Sequence, residues 1–194
     1  MVKKELIKDF MPFAQPQLID TISGIAEIQH YQRGEHLYEI GDMQEKIYIL
    51  LDGILRCYFI DEIQTEITDC FITDRWMAAN SSDILSGGGS TPSVIGVEAL
   101  TTSEVLEIPA DRILFLLQKY PEMAKFFVYS LHQALTFQNE INKRRLYYPG
   151  NQRYEWFCEK WPEVDKVASN HQIATFLGIR SESLSRLRRQ VKEK

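Results

Sequence analysis

The sequence predicts an α+β chain, a β-roll followed by helices, on three observations. Between Ile28 and Ile108 short apolar runs alternate with glycine-bearing turns, as in a compact β-sandwich or barrel. Beyond Pro109 the apolar period lengthens to that of helices, one of them running over residues 121–146. Charge also changes sign along the chain: residues 1–142 carry 10 basic and 21 acidic side chains, residues 143–194 carry 12 and 6. A net charge of −5 over 194 residues therefore conceals a basic end on an acidic body. That is the distribution of a small nucleic-acid-binding module joined to a domain with another task.

Residues 6–13 and 16–26 read as short helices, the second with Leu18, Ile19, Ile22 and Ile25 as its apolar stripe. Strands are expected over 28–31, 36–40, 46–51, 54–60 and 65–72, with turns at Arg33-Gly34, Gly41-Asp42, Asp52-Gly53 and Asp61-Glu62. Asp52-Gly53 between two apolar runs is a strong hairpin signal. Residues 76–85 fit either strand or helix, 86–92 (S-G-G-G-S-T-P) read as a flexible loop, and strands return at 93–97 and 105–108. A short helix at 113–117 precedes the long one.

On that long helix Met123, Phe126, Phe127, Leu131, Ala134, Phe137 and Ile141 spread apolar surface over more than one face. One β-domain does not cover so much, so a second copy is expected against residues 122–146, giving a homodimer. Pro149-Gly150 marks a linker, and Tyr154, Trp156, Phe157 and Trp161 supply a small C-terminal core. The expected domains are residues 1–120, the dimerisation helix and linker at 121–148, and a helix-turn-helix at 149–194.

Within the last unit, Ile173, Phe176 and Leu177 stand at helical spacing, and Gly178 supplies a stop where positive φ is allowed. Ile179, Leu184, Leu187 and Val191 then form the buried stripe of a second helix. Its other faces carry Ser181, Glu182, Ser183, Ser185, Arg186, Arg188 and Arg189. Short polar side chains and arginines near a helix N-terminus reach base edges and phosphates. Glu182 and Arg186 are the expected base readers, and His171, Gln172, Arg188 and Arg189 the expected phosphate contacts. A ligand-binding or interaction module whose basic end is merely a solvated helix pair is the alternative reading.

Several classes are excluded. Cys57, Cys70 and Cys158 are odd in number and lack CxxC spacing, so no disulfide framework, zinc site or iron-sulfur cluster is encoded. No apolar run approaches the roughly 18 residues that span a membrane, so a cytoplasmic protein without a membrane partner is expected. No nucleophile–base pairing or metal spacing appears, and Gly87-Gly88-Gly89 lacks the P-loop lysine; an enzyme is not expected.

The order of β-roll, long helix and helix-turn-helix resembles the cAMP receptor protein/Fnr family of bacterial transcription regulators. Its motifs here are Y-x-R-G-E at 31–35, Gly41-Asp42, I-Y-I-L-L-D-G at 47–53, E-V-L-E-I at 104–108 and I-A-x-F-L-G-I-R-S-E-S-L-S-R-L-R at 173–188. The last is especially like a short subgroup without the β-wing that larger relatives place after the recognition helix. The resemblance implies a cyclic-nucleotide-binding-like jelly-roll, a dimer on a pseudopalindromic operator, a small-molecule effector, and RNA polymerase as a further partner. In relatives that bind cyclic nucleotides a Gly-Glu pair holds the ribose and an Arg-Ser pair the phosphate. The matching positions are Ser82-Asp83 and Ser93-Val94, with Gln138 and Asn139 where relatives contact the base. Without the arginine, cAMP is not the expected effector. The cysteine cluster of oxygen-sensing relatives is also missing, so no iron-sulfur cluster is expected; haem is not expected either. Relatives also place Ser or Thr at position 180, where this chain has Arg180, so the helix cap is expected to pass to Ser181.

Overall fold

A computed structural model of the chain describes residues 2–73, 76–78 and 91–192. Among them two antiparallel sheets face one another as a jelly-roll-like sandwich. One sheet has the order β1 (Glu27–Tyr31), β8 (Ser103–Pro109), β3 (Lys46–Asp52), β6 (Met77–Ala78). The other runs β2 (His36–Tyr38), β7 (Gly96–Ala99), β4 (Leu55–Ile60), β5 (Glu66–Ile72). Leu37, Leu50, Leu55, Val97 and Val105 fill the space between them.

The unbroken apolar run of β3 has a structural reason. Tyr48 and Leu50 face the sandwich interior, while Ile47 and Ile49 face a second core outside it. That outer core is built by α1 (Val2–Phe10), α2 (Pro16–Ile25), α3 (Ile113–Lys119) and the start of α4 (Pro121–Tyr147), through Ile7, Leu18, Ile22, Leu116 and Phe126.

Asp52-Gly53 does not close a hairpin. β3 pairs with β8 and β6, whereas β4 pairs with β5 and β7, so this turn carries the chain from one sheet to the other. Gly53 has a φ of 103°, and a Cβ there would lie 2.3 Å from Ser103 Oγ. The glycine is needed for the reversal; the faces the two strands bury decide their partners. A true hairpin follows at Asp61, whose Oδ1 accepts from Ile63 N and Thr65 N at 3.0 and 2.8 Å. The strand expected at 93–97 begins instead at Gly96, because the backbone of Ser93 is bonded to Gly41 N and Asp42 O instead of to a neighbouring strand.

The C-terminal part comprises α5 (Gly150–Lys160), α6 (Pro162–Val167), α7 (Asn170–Leu177) and α8 (Ser181–Lys192). Trp156, Phe157, Trp161, Phe176 and Leu184 form its core, and that core takes in Ile54, Phe71 and Leu100 from the β-sandwich. The Phe71 ring lies 5.2 Å from Phe176 and 5.9 Å from Phe157. These helices thus cover the outer face of the β4–β5 sheet as the N-terminal helices cover the other. Burial of an aromatic side chain of this size contributes about 1.5–3 kcal/mol.

Candidate nucleic-acid interface and effector cavity

α7 starts at a reciprocal cap. Ser169 Oγ accepts from Gln172 N at 3.2 Å and Gln172 Oε1 accepts from Ser169 N at 2.8 Å. It ends at Gly178, whose φ of 64° places it in the left-handed region. Two arginines hold its last carbonyls: Arg145 Nε donates to Phe176 O at 2.7 Å and Arg153 Nη1 to Leu177 O at 2.6 Å. The turn is short, and Leu184 N donates to Arg180 O at 3.1 Å, so Arg180 keeps the N-cap position and the cap does not pass to Ser181.

Along α8, Leu184 is buried, and Ile179 and Leu187 pack beside it. Glu182, Arg186 and Arg189 are exposed, and Ser181, Ser183 and Ser185 are half-buried. Among the described residues Arg186 makes only a 3.4 Å contact, to Ser183 Oγ. Arg188 has a different environment: its guanidinium donates to Asp165 Oδ1 and Asp165 O, each at 2.8 Å, and contacts Asn170 Oδ1. Ser185 Oγ donates to Ser181 O and accepts from Asn170.

His171 and Gln172 face the β-sandwich. His171 Nε2 lies 3.2 Å from Glu66 O, and Gln172 Nε2 donates to Glu98 Oε1 at 3.0 Å. Beside them Thr175 Oγ1 accepts from Thr68 N at 3.2 Å. Beneath lies Arg56, 1% exposed, donating to Glu66, Glu98 and Thr68 at 2.8, 2.7 and 2.9 Å. The two carboxylates and the hydroxyl engage the guanidinium through Nε and Nη1, while Nη2 is buried without a hydrogen-bond partner among the described residues, and the group ties β4, β5 and β7 together under α7. Arg56, Thr68 and Thr175 were not foreseen from the sequence. The one available signal was Thr175, a polar residue between the apolar positions of α7.

On the inner side of β5 a cavity of about 210 Å3 opens between the sheet and α4. Phe71, Trp76 and Phe137 give it aromatic walls, and Asp69 and Gln138 supply polar groups 3.4 Å apart. Asp69 is an extra residue in β5: Cys57 pairs with Cys70 and Tyr58 with Thr68, leaving Asp69 at a bulge. The bulge turns its carboxylate and the Cys70 side chain to the same cavity. Among the described lining residues there is no lysine or arginine. Burial pulls the pKa of the nearby Arg145 down, against the opposing pull of Asp69.

Of the expected effector residues, Gln138 lines this cavity. Ser93 is buried and shares its hydroxyl with Ile95 O and Ile95 N, Val94 is 70% exposed, and Asn139 is exposed on α4. Ser82 and Asp83 lie outside the described residues. Among the described residues no group of three or more His, Cys, Asp or Glu side chains is placed to hold a metal, and no helix is long and apolar enough to cross a membrane.

Residues 28–120 match the cyclic nucleotide-binding domain family. Solved structures share the fold over nearly the whole chain. A protein of Eubacterium rectale described as a transcriptional regulator of the crp/fnr family is 16% identical, with 95% of this chain and 88% of that one covered at a TM-score of 0.75. CLP of Xanthomonas campestris, described as a c-di-GMP responsive global regulator, is 13% identical, with 92% of each chain covered at 0.74. FixK2 of Bradyrhizobium japonicum is 15% identical, with 87% and 85% covered at 0.72. No curated protein sequence matches the chain.

Proposed function

We propose that this protein is a homodimeric, sequence-specific DNA-binding transcriptional regulator whose helix-turn-helix, α7 and α8, is controlled by a small molecule in the cavity beside β5. One observation carries the reading. α8 buries Leu184 while leaving Glu182, Arg186 and Arg189 unburied on a rigidly capped helix pair in the basic end of the chain. A helix so presented fits a major groove, with Glu182 and Arg186 on base edges and Ser181, Ser183, Ser185 and Arg189 as further contacts. Arg188 supports the fold of the head instead of reaching a phosphate, given its bonds to Asp165.

The dimer reading rests on α4. Val128, Leu131 and Leu135 are 67%, 48% and 63% exposed along one side of it, and Leu146 is 75% exposed further on. Such a stripe at heptad-like spacing suits a second copy of the same helix. Two-fold symmetry then requires a pseudopalindrome with half-sites about 34 Å apart. RNA polymerase is the partner such a regulator acts through.

For control, β5 is the shared element. Its inner side lines the cavity with Cys70 and Ile72, and its outer side holds α7 through Thr68 and Phe71. A ligand that shifts β5 changes how the head is held. With Asp69 as the one charged side chain among its described lining residues, the aromatic cavity favours a neutral or cationic effector over an anionic cyclic phosphate. Thermal-shift screening reads this directly, because a ligand at 100 times its Kd stabilises by about 2.7 kcal/mol.

The engagement of His171 and Gln172 by the β-sandwich favours one alternative, a ligand-binding module without specific DNA binding. Selection of duplexes from a random library separates the two. A regulator enriches a palindrome, and a module enriches nothing.

A further inference from the structure

The hairpin of β4 and β5 sets two of the three cysteines directly opposite one another, Cys57 against Cys70. In an antiparallel pair such partners have Cα atoms about 4.5 or 5.5 Å apart, depending on the pair type. Disulfides span Cα separations of about 4.4–6.8 Å, so either type permits a bond without backbone movement. Both side chains point to the same interior: Cys57 is buried in the core between the sheets and Cys70 packs against it. Both thiols are free, and Cys57 lies close enough to raise the pKa of Cys70.

These two thiols also form part of the wall of the cavity beside α4. A space of about 210 Å3 admits several molecules the size of water, and hydrogen peroxide exceeds water by one oxygen atom. Cys158 lies apart, on α5 next to Tyr154, and has no such neighbour.

We infer that Cys57 and Cys70 are a dithiol modification site, oxidised by a small hydroperoxide entering the cavity to a cross-strand disulfide. Cys70, the less buried residue of the two, attacks the peroxide oxygen. The O–O bond breaks, Cys70 becomes a sulfenic acid, and the other oxygen leaves as an alcohol, or as water when the oxidant is hydrogen peroxide. Cys57 then displaces hydroxide from the sulfenic sulfur, and its own proton completes a molecule of water. Two thiols lose two electrons and two protons, and one peroxide is reduced. The contact with Cys57 and burial push the Cys70 thiol pKa up, so the thiol stays protonated near neutrality and the reaction is slow. The pair therefore responds to sustained exposure. The product staples β5, an edge strand, to β4 at the level where β5 holds α7.

The test uses the full chain and a Cys158→Ser variant, which removes exchange through the third thiol. Each is held in hydrogen peroxide until Met43, 45% exposed, is converted to its sulfoxide as an internal measure of dose. Intact mass and a non-reducing peptide map are then read. In both proteins we expect a Cys57–Cys70 linked peptide and, apart from methionine oxidation, a loss of two hydrogen atoms in mass that dithiothreitol restores. Two results overturn the inference: both thiols still alkylated once Met43 is oxidised, or Cys70 carried to sulfinic acid with Cys57 still a thiol. Neither depends on whether the protein binds DNA.

Discussion

Arg186 and Arg188 stand two residues apart on α8 and have different tasks. Arg186 is exposed and nearly unpartnered, so Arg186→Ala is expected to lose about 1–3 kcal/mol of operator binding and to relax preference at one base position, with little change in thermal stability. Arg188 is held by Asp165 and Asn170. Arg188→Ala should lower unfolding stability by about 1.5–3 kcal/mol, read by denaturant titration, because it leaves Asp165 without its cation. From the sequence both arginines were candidates for DNA, since a solvated arginine and an ion-paired one look alike in a one-dimensional pattern. Gly178 was legible for the opposite reason: a left-handed C-cap has a local chemical requirement that glycine alone meets cheaply.

At the scale of elements, α7 is where sequence and structure part most. Its apolar stripe of Ile173, Phe176 and Leu177 was legible from spacing, but its docking on the sheet depends on Thr68, Phe71 and Arg56, about a hundred residues or more before it in the chain. Long-range contacts of this kind leave no period in a single sequence. Likewise the Asp52-Gly53 turn was legible and its sheet partners were not. Thr175→Val keeps the volume of α7 and removes its bonds to Thr68. Amide exchange over residues 66–72 is expected to rise in this variant; unchanged protection would show that α7 does not hold β5. α4 offers a second test. Leu135→Glu places a carboxylate in the exposed stripe, and sedimentation is expected to report a dimer for the parent and a monomer for the variant.

The joint between α4 and α5 is expected to weaken in acid. Glu140 accepts from Trp156 Nε1 at 3.1 Å and Lys160 Nζ at 2.9 Å. Burial raises its pKa, but the bonds from Lys160 and Trp156 outweigh burial and bring it below the usual carboxylate value. Its contribution is therefore complete above the unfolded pKa and disappears as pH falls through the lowered one. Glu140→Gln should flatten the acid limb of the stability profile measured by denaturant titration.

For the whole molecule, the charge division and the succession of β-sandwich, long helix and capped helix pair give one consistent picture. An acidic β-sandwich body carries a basic helical end, β5 touches both, and in the proposed function the first is a sensor and the second a DNA reader. Counterion release makes a DNA reader strongly salt-dependent, so binding should weaken steeply between low and physiological salt. The most direct measurement is an equilibrium titration of the full chain, with and without stabilising ligands, against its selected palindrome and a scrambled duplex of equal length, at several salt concentrations. We expect the palindrome to bind at least about 1,000-fold more tightly than the scrambled duplex, with both affinities falling as salt rises. Equal affinity for the two duplexes under every condition would contradict a sequence-specific regulator.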